Sequence, residues 1–330
     1  IDEASQVRVM DSMLALTKGD ENTTRYLLVG DDDQLPPIIG GKYARDWDQP
    51  YIYGSVFRYY KDYGRLNNLD YCMSLDENFR MNDILARYSA EKIYGDAYQA
   101  FNSEIANRHL NYGVYDVTVK EEISEQYRAW CEYVLDGMRY DRECYWPLVF
   151  CHIRGGNAKV QTELERKMVA ELTYALKQVV ASDKTDAEFW EKYFGIISPH
   201  HEHISKLKDV VTERTGMERD ALYIGTVDKL QGQQREAVVV SYGVSDIEMA
   251  VAEGEFIYSR NRLNVSLTRA KAKTMVFLSD VLMRRPTEIL STENEENVEK
   301  VETVEPKENS NGIVEDVQIP YIIRKRIGLF

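Results

Sequence analysis

The chain opens on Ile1-Asp2-Glu3-Ala4-Ser5-Gln6, and Leu27 to Pro37 reads LLVGDDDQLPP. Adjacent carboxylates after an apolar residue, then a second apolar run ending in Gly-Asp and a Gln, put acidic and amide groups at the carboxyl ends of two strands. In an open α/β sheet that edge is where ligands bind. Asp2 can hold a hydrated Mg²⁺, which takes carboxylate and phosphate oxygens, and Glu3 is placed to orient or deprotonate an attacking water. These groups are half of what a nucleotide hydrolase needs.

The other half, a phosphate cradle of the form G-x-x-x-x-G-K-[S/T], occurs nowhere in the 330 residues. The chain also opens on Ile, in what reads as the last residue of a strand. The expectation is a piece of a longer polypeptide, cut inside its first nucleotide-binding domain, with the missing N-terminal part of that domain as a required partner.

A net charge of -14 and a pI near 5.0 argue against a protein held to nucleic acid by a general positive field. They leave room for a narrow groove that grips a strand through backbone amides, hydroxyls and aromatic stacking. Cys72, Cys131, Cys144 and Cys151 show no C-x-x-C spacing, so reduced thiols in a cytoplasmic protein are expected. No apolar run is long enough to span a bilayer, and no membrane partner is expected.

Val7 to Thr17 has the apolar spacing of a short helix, Thr24 to Val29 reads as a buried strand, and Gly30 to Gln34 as the loop at its tip. Ser55-Val56-Phe57 starts a helix. Arg80 precedes a helical pattern over Asp83 to Tyr94, and Glu121 to Met138 reads as an amphipathic helix inside an insertion at about 96–145. Pro147 to Ile153, Phe194 to Ser198, Tyr223 to Val227, Ala237 to Tyr242 and Thr274 to Leu278 read as strands. Helices are expected over Thr162 to Val180 and His203 to Glu213. Strands alternating with helices predict right-handed crossovers and mostly parallel sheets. The fold class is therefore α/β, a RecA-like or doubly wound pattern started midway through one copy and completed in a second, with a partial first domain over 1–66 and a complete second one over 67–285. Residues 286–318 are rich in Glu and read as an acidic linker, and 319–330 as a tail or the start of a further segment.

Gly225 to Glu236 reads GTVDKLQGQQRE, a strand running into a polar loop that bends at Gly232. Backbone amides around Gly232 and the side chains of Gln231 and Gln234 can address a sugar or phosphate. Arg262 to Lys271, RLNVSLTRAK, adds two arginines on what reads as a loop entering a helix. A fixed guanidinium neutralises the charge that phosphoryl transfer spreads over the γ-oxygens.

The stretches DEASQ, GDDDQLPP, LDENFRM, GIISPH, GTVDKLQGQQRE and RLNVSLTRAK, in that order, resemble the later motifs of superfamily 1 helicases. They are most similar to the branch of the nonsense-mediated-decay RNA helicase and its DNA-acting relatives. The resemblance covers residues 1 to 282 and implies two RecA-like domains with ATP in the cleft between them and single-stranded nucleic acid across their top. It implies Mg²⁺ on Asp2, shared with the absent Walker Ser/Thr, the attacking water on Glu3, and the γ-phosphate on Gln34. Arg80 and Arg269 would be arginine fingers. Gln231, Gly232, Gln234 and Arg262 would lie at the nucleotide, and Ser198, Pro199 and Thr226 along the nucleic-acid groove.

Two departures stand out. The family has Glu where Gln234 stands, and its T-P-Y-x-x-Q reads Ser198-Pro199-His200-His201-Glu202-His203 here, with His in place of both the aromatic residue and the Gln. The function implied is an ATP-dependent helicase or translocase on single-stranded DNA or RNA, DNA being the expected track, moving 5′ to 3′. The alternative is a non-catalytic nucleic-acid-binding or regulatory module derived from such a core.

Overall fold

The structure, a computed structural model, describes residues 1–20, 22–41, 43–44, 46–110, 121–136, 146–230 and 232–283. Gln231, Cys144, the acidic stretch 286–318 and the segment 319–330 lie outside the described residues, as does part of the 96–145 insertion. The chain divides into two compact units, one of residues 1–76 with 260–265, the other of residues 77–259 with those from 266 on.

In the first unit Ile1–Ala4 and Leu27–Val29 run side by side. The amino terminus donates to Leu27 O at 2.7 Å, Val29 N to Ile1 O at 2.9 Å and Ala4 N to Val29 O at 2.8 Å, the bond pattern of a parallel pair. The second segment was expected to be buried. Leu27 is instead 74% exposed and Val29 41%, because the helices of this unit, Val9–Leu16 and Val56–Leu66, do not cover it. The second of these helices starts where the sequence indicates, because the Ser55 hydroxyl accepts from Arg58 N at 3.1 Å and satisfies one of the free amides of the first turn.

The second unit is built on parallel strands. β1 (Glu77–Asn78) pairs with β2 (Gln99–Ala100) in a short two-stranded ladder. β3 (Leu148–Ile153), β4 (Phe194–Ile197), β5 (Ile224–Gly225), β6 (Arg235–Ser241) and β7 (Ala270–Ser279) form a five-stranded sheet in the order β3-β7-β6-β4-β5. Every pairing in it is parallel, with Val149 opposite Met275, Val239 opposite Met275, and Ile196 opposite Val239. Continuous runs such as AVVV in β6 bury both faces, as a parallel sheet covered by helices requires. The helices Ala158–Val180 and His201–Thr215 supply crossovers and bury Met168, Leu172, Leu176, Leu207 and Val211 in one core with Phe189, Phe194 and Phe277. This is the mixed α/β, RecA-like fold that the sequence implies.

Several boundaries differ from expectation for local reasons. Asn157 caps the long helix, its side chain accepting from Val160 N at 3.1 Å, so the helix begins at Ala158 rather than Thr162. The helix after β4 begins at His201 and ends on Gly216, whose φ of +74° suits a residue without Cβ. Glu125–Asp136 is helical, inside the expected Glu121 to Met138, of which 137–138 lie outside the described residues. RLNVSLTRAK is not a loop entering a helix: Arg260–Leu267 is itself helical, and the chain then turns at Thr268-Arg269 into β7. Among the described residues no helix is long and apolar enough to cross a membrane.

Candidate nucleotide and nucleic-acid sites

In the first unit Asp2 and Glu3 lie exposed between Ile1 and Ala4, the residues that bond Leu27 and Val29, close to where Gly30 to Gln34 begins. A Cβ on Gly30 would stand 2.7 Å from Ser5 N, so only glycine lets the two loops approach this closely. Glu3 has φ of +49°, its amide donates to Asp2 Oδ1 at 2.9 Å, and its carboxylate accepts from Gln6 Nε2 at 2.9 Å.

The three aspartates of the GDDDQ loop divide its support between them. Asp31 organises the turn from inside, accepting from Asp33 N at 2.9 Å and from Gln34 Nε2 at 2.9 Å. Asp32, nearly buried, accepts from Lys61 Nζ at 3.0 Å and Arg58 Nη1 at 3.4 Å, both on the helix Val56–Leu66. Asp33 pairs with Arg260. Asn261 and Asn264 then bond the loop's carbonyls. Arg262 is half-buried on the same helical segment.

In the second unit the parallel sheet separates two groups of candidates. At its amino-terminal edge Arg80 Nη1 donates to Thr268 O at 2.9 Å, and Arg269 Nη1 to Gln233 O at 3.4 Å. Arg80, Arg269 and the 232–234 loop are thus gathered in one place. Arg269 is only 4% exposed, an inward-held guanidinium rather than a projecting one. Gly232 has φ of +74° with open space where a Cβ would be, and Gln234 is exposed.

Sequence reasoning gave no role to the residues that brace this edge. The Arg235 guanidinium lies 3.8 Å over the Tyr223 ring and donates to Trp190 O at 2.5 Å, Gln234 O at 2.9 Å and Gln233 Oε1 at 3.2 Å. Tyr223 donates to the same Gln233 oxygen. Burial pulls the Arg235 pKa down and pushes that of Tyr223 up, yet the stacked guanidinium keeps its charge. An Arg at a strand start ten residues after Tyr223-Ile224-Gly225 was the available signal, but only the pairing of β4 with both β5 and β6 brings the two together.

At the carboxyl-terminal edge Ser198 N donates to Gly225 O at 3.0 Å, which sets Ser198 and Pro199 beside Thr226. Ser198 is fully buried, however, and its hydroxyl has no hydrogen-bond partner among the described residues. Thr226 Oγ1 accepts from Lys229 N at 3.3 Å and holds the following turn. Of the His residues behind Pro199, His201 is exposed while His203 serves the interior: its Nε2 lies 2.8 Å from Ser241 Oγ, which donates to Glu165 at 2.6 Å. His203, at the position of the family's Gln, is therefore not a surface group.

Because β5 and β6 run the same way, the segment 226–234 must return along the whole sheet from its carboxyl-terminal edge to its amino-terminal edge. One short stretch joins Thr226 at one edge to Gly232 and Gln234 at the other.

A family profile described as "AAA domain" matches residues 55–280, more than half of the chain. The chain belongs to this family. Among curated proteins the AAA domain is 26% identical over 289 residues to the DNA replication ATP-dependent helicase/nuclease of Xenopus laevis, covering 84% of this chain and 24% of that protein. It is likewise 26% identical over 280 residues to the human protein of the same description, with the same coverage. It is 25% identical over 284 residues to Helicase SEN1 of Saccharomyces cerevisiae, covering 84% of this chain and 11% of that protein. The chain spans a quarter or less of the length of these relatives. The AAA domain is a superfamily 1 helicase relative that corresponds to the C-terminal region of such a core.

Proposed function

We propose that this chain is the nucleotide-responding, C-terminal part of an ATP-dependent motor that moves 5′ to 3′ on single-stranded nucleic acid, DNA in preference to RNA. The observation that carries the reading is the gathering of Arg80, Arg269 and the 232–234 loop at one edge of a parallel sheet whose other edge holds Ser198, Pro199 and Thr226. The segment 226–234 connects these edges, so a shift of the loop at a nucleotide would be felt where the strand is gripped. The descriptions of the similar DNA replication helicases support DNA as the track.

The residues present suit Mg²⁺ and ATP. Asp2 and Glu3 offer exposed carboxylate oxygens beside a backbone that only Gly30 allows to close up, and Mg²⁺ takes such oxygens with phosphate and water. When bound, Mg·ATP supplies the phosphoanhydride whose hydrolysis drives the motor. Asp2 would hold the cation, Glu3 would orient the water and take its proton, and Gln34 would address the γ-phosphate. Arg80 and Arg269 would meet its developing charge, Arg269 by leaving its buried bond to Gln233. Gln231, Gly232, Gln234 and Arg262 would serve the sugar and remaining phosphates, Gln234 with a neutral amide.

No Walker cradle lies in the sequence, so the reading requires further chain. The apolar surface of the first unit supports this: Leu14 is 78% exposed, Leu27 74% and Ile38 89%, side chains that a completed domain would cover. The decisive experiment is ATP hydrolysis by the full-length protein with and without single-stranded DNA and RNA, beside Arg269→Ala. Stimulation by DNA above RNA and loss of hydrolysis in the variant, with nucleic-acid binding retained, are expected. An active Arg269→Ala protein would sink the assignment, and no hydrolysis under any condition would favour a binding or regulatory module.

A further inference from the structure

The polar helical segment at 260–265 meets the loop at 32–34 through main-chain groups, more than two hundred residues away in sequence. Asn261 Nδ2 donates to Gln34 O at 2.6 Å and to Asp32 O at 3.1 Å, and Asn264 Nδ2 donates to Asp33 O at 3.1 Å. Three successive carbonyls are thus held by two side-chain amides from one helix. Positions 261 and 264 are three apart, so both amides leave the same face. Asn264 is fully buried, which makes its bond costly to lose, because a buried carbonyl without a donor bears its whole desolvation penalty. Arg260 adds an ion pair to Asp33 at the rim.

Side-chain contacts alone would leave the backbone of the loop free to reorient. Carbonyl contacts do not, since the direction of each C=O fixes the peptide plane and with it the Cα–Cβ vector of the next residue. Gln34 is the residue whose side chain this construction aims. Resting on the reading of Gln34 as the γ-phosphate contact, we propose that Asn261 and Asn264 are positioning residues for Gln34, holding the Asp32–Gln34 turn so that its amide meets the nucleotide in one orientation. The segment that holds the turn belongs to the same helix that ends at Leu267, two residues before Arg269.

The test uses the full-length protein with Asn261→Ala, Asn264→Ala and Gln34→Ala, singly and combined. Each Asn variant is expected to lower stimulated kcat by about tenfold while leaving the KM for ATP within about twofold, the pattern of an interaction made in the transition state. In the Gln34→Ala background the Asn variants should have no further effect, since their target is gone. Additive losses, or unchanged kcat, would overturn the positioning role. Hydrogen exchange of the peptide spanning 31–37 provides a readout independent of hydrolysis: faster exchange in the Asn variants is expected, and unchanged exchange overturns the clamp. If the unaltered protein hydrolyses no ATP, the functional reading fails and exchange alone decides whether the clamp exists. Should the fully buried Asn264→Ala fail to fold, the half-buried Asn261 carries the same test.

Discussion

The Gln34 side-chain amide donates to Asp31 Oδ2 at 2.9 Å, while the backbone N–H of the same residue donates to Asp31 O at 3.2 Å. One aspartate therefore grips both the main chain and the side chain of the glutamine that ends the loop. Its other carboxylate oxygen takes Asp33 N, so the turn is closed from within before any neighbouring helix touches it. A glutamine held this way starts from a defined orientation, which lowers the entropy lost when it engages a ligand.

Asp31→Asn keeps the oxygen that takes Asp33 N and replaces the one that accepts from Gln34. A charge-assisted bond contributes about 1.5–3 kcal/mol. Stimulated ATP turnover of the full-length protein should fall by roughly tenfold, with melting temperature shifted little, because the residue lies at a loop tip. Steady-state kinetics beside a thermal melt check this; a melt that falls in step with turnover would make Asp31 a folding residue instead.

Glu165, Ser241 and His203 form a buried polar chain whose net effect depends on pH. The Glu165–His203 separation of 3.8 Å would suit an ion pair, but burial favours the neutral form of both. Burial pushes the Glu165 carboxyl up to about 7 and the His203 ring down to about 3, the latter aided by the nearby positive charges of Arg166, His200 and Lys206. Between the unfolded values, near 4.5 for Glu and 6.5 for His, folding takes one proton onto Glu165 and releases one from His203, so the pair adds no slope. Below pH 4.5 only His203 differs, the unfolded chain binds more protons, and stability falls as pH drops towards 3. Above pH 6.5 only Glu165 differs, and stability falls slightly as pH rises through 7. Each slope is about 1.4 kcal/mol per pH unit at most. Urea melts from pH 3.5 to 8 should show a plateau near 4.5–6.5 that disappears in His203→Gln.

Lys273 is buried in the middle of the sheet, donates to Trp146 O at 2.7 Å, and has its pKa pulled down to about 7 by desolvation. The unfolded chain keeps that proton up to about pH 10.5, so stability is lowest at and below pH 7 and rises between 7 and 10.5. Lys273→Met keeps the volume and removes the charge. Its gain, offset by the donor lost to Trp146 O, is about 2 kcal/mol near pH 7 and shrinks as pH rises. Denaturant melts at pH 7 and 9.5 test both the sign and its pH dependence; a less stable Lys273→Met protein at pH 7 would show the lysine to be a net stabiliser.

The parallel sheet was legible because AVVV in β6, FGII in β4 and TMVFL in β7 are short apolar runs between polar segments, and such runs need no partner to be recognised. The loop from Gly30 to Gln34, at the end of the Leu27–Val29 segment, follows from the same signal. What stayed hidden depends on distant pairs. RNRLNVSL carries little apolar period because its polar residues are spent on the carbonyls at 32–34, so its helix could not be read locally. The His residues after Pro199 stand where the family has an aromatic residue and a Gln, yet His203 is an interior residue because Glu165 and Ser241, from other elements, give it a polar partner. The inward turn of Arg269 likewise depends on the Gln233 carbonyl, which no spacing in RLNVSLTRAK reveals.

Two glycines with nearly the same backbone make a paired test of that buried chain. Gly232 and Gly243 have φ of +74° and +64°, so alanine at either meets a left-handed cost of about 1–2 kcal/mol. Gly232 has open space where a Cβ would stand. At Gly243 a Cβ would lie 2.3 Å from His203 Nδ1 and 2.4 Å from its Cγ, while the glycine N–H donates to Glu165 Oε1 at 3.0 Å. The His203 ring is itself held at Ser241 and cannot swing aside without breaking that bond. Gly243→Ala should therefore be less stable than Gly232→Ala by about 2–3 kcal/mol in urea, the cost of overpacking a buried site. Truncating the obstacle gives the control: in a His203→Ala background most of the difference should vanish. Equal costs for the two glycines in the unaltered chain would mean that the loop after β6 yields, and that the chain from Glu165 to His203 is not the rigid brace its distances describe.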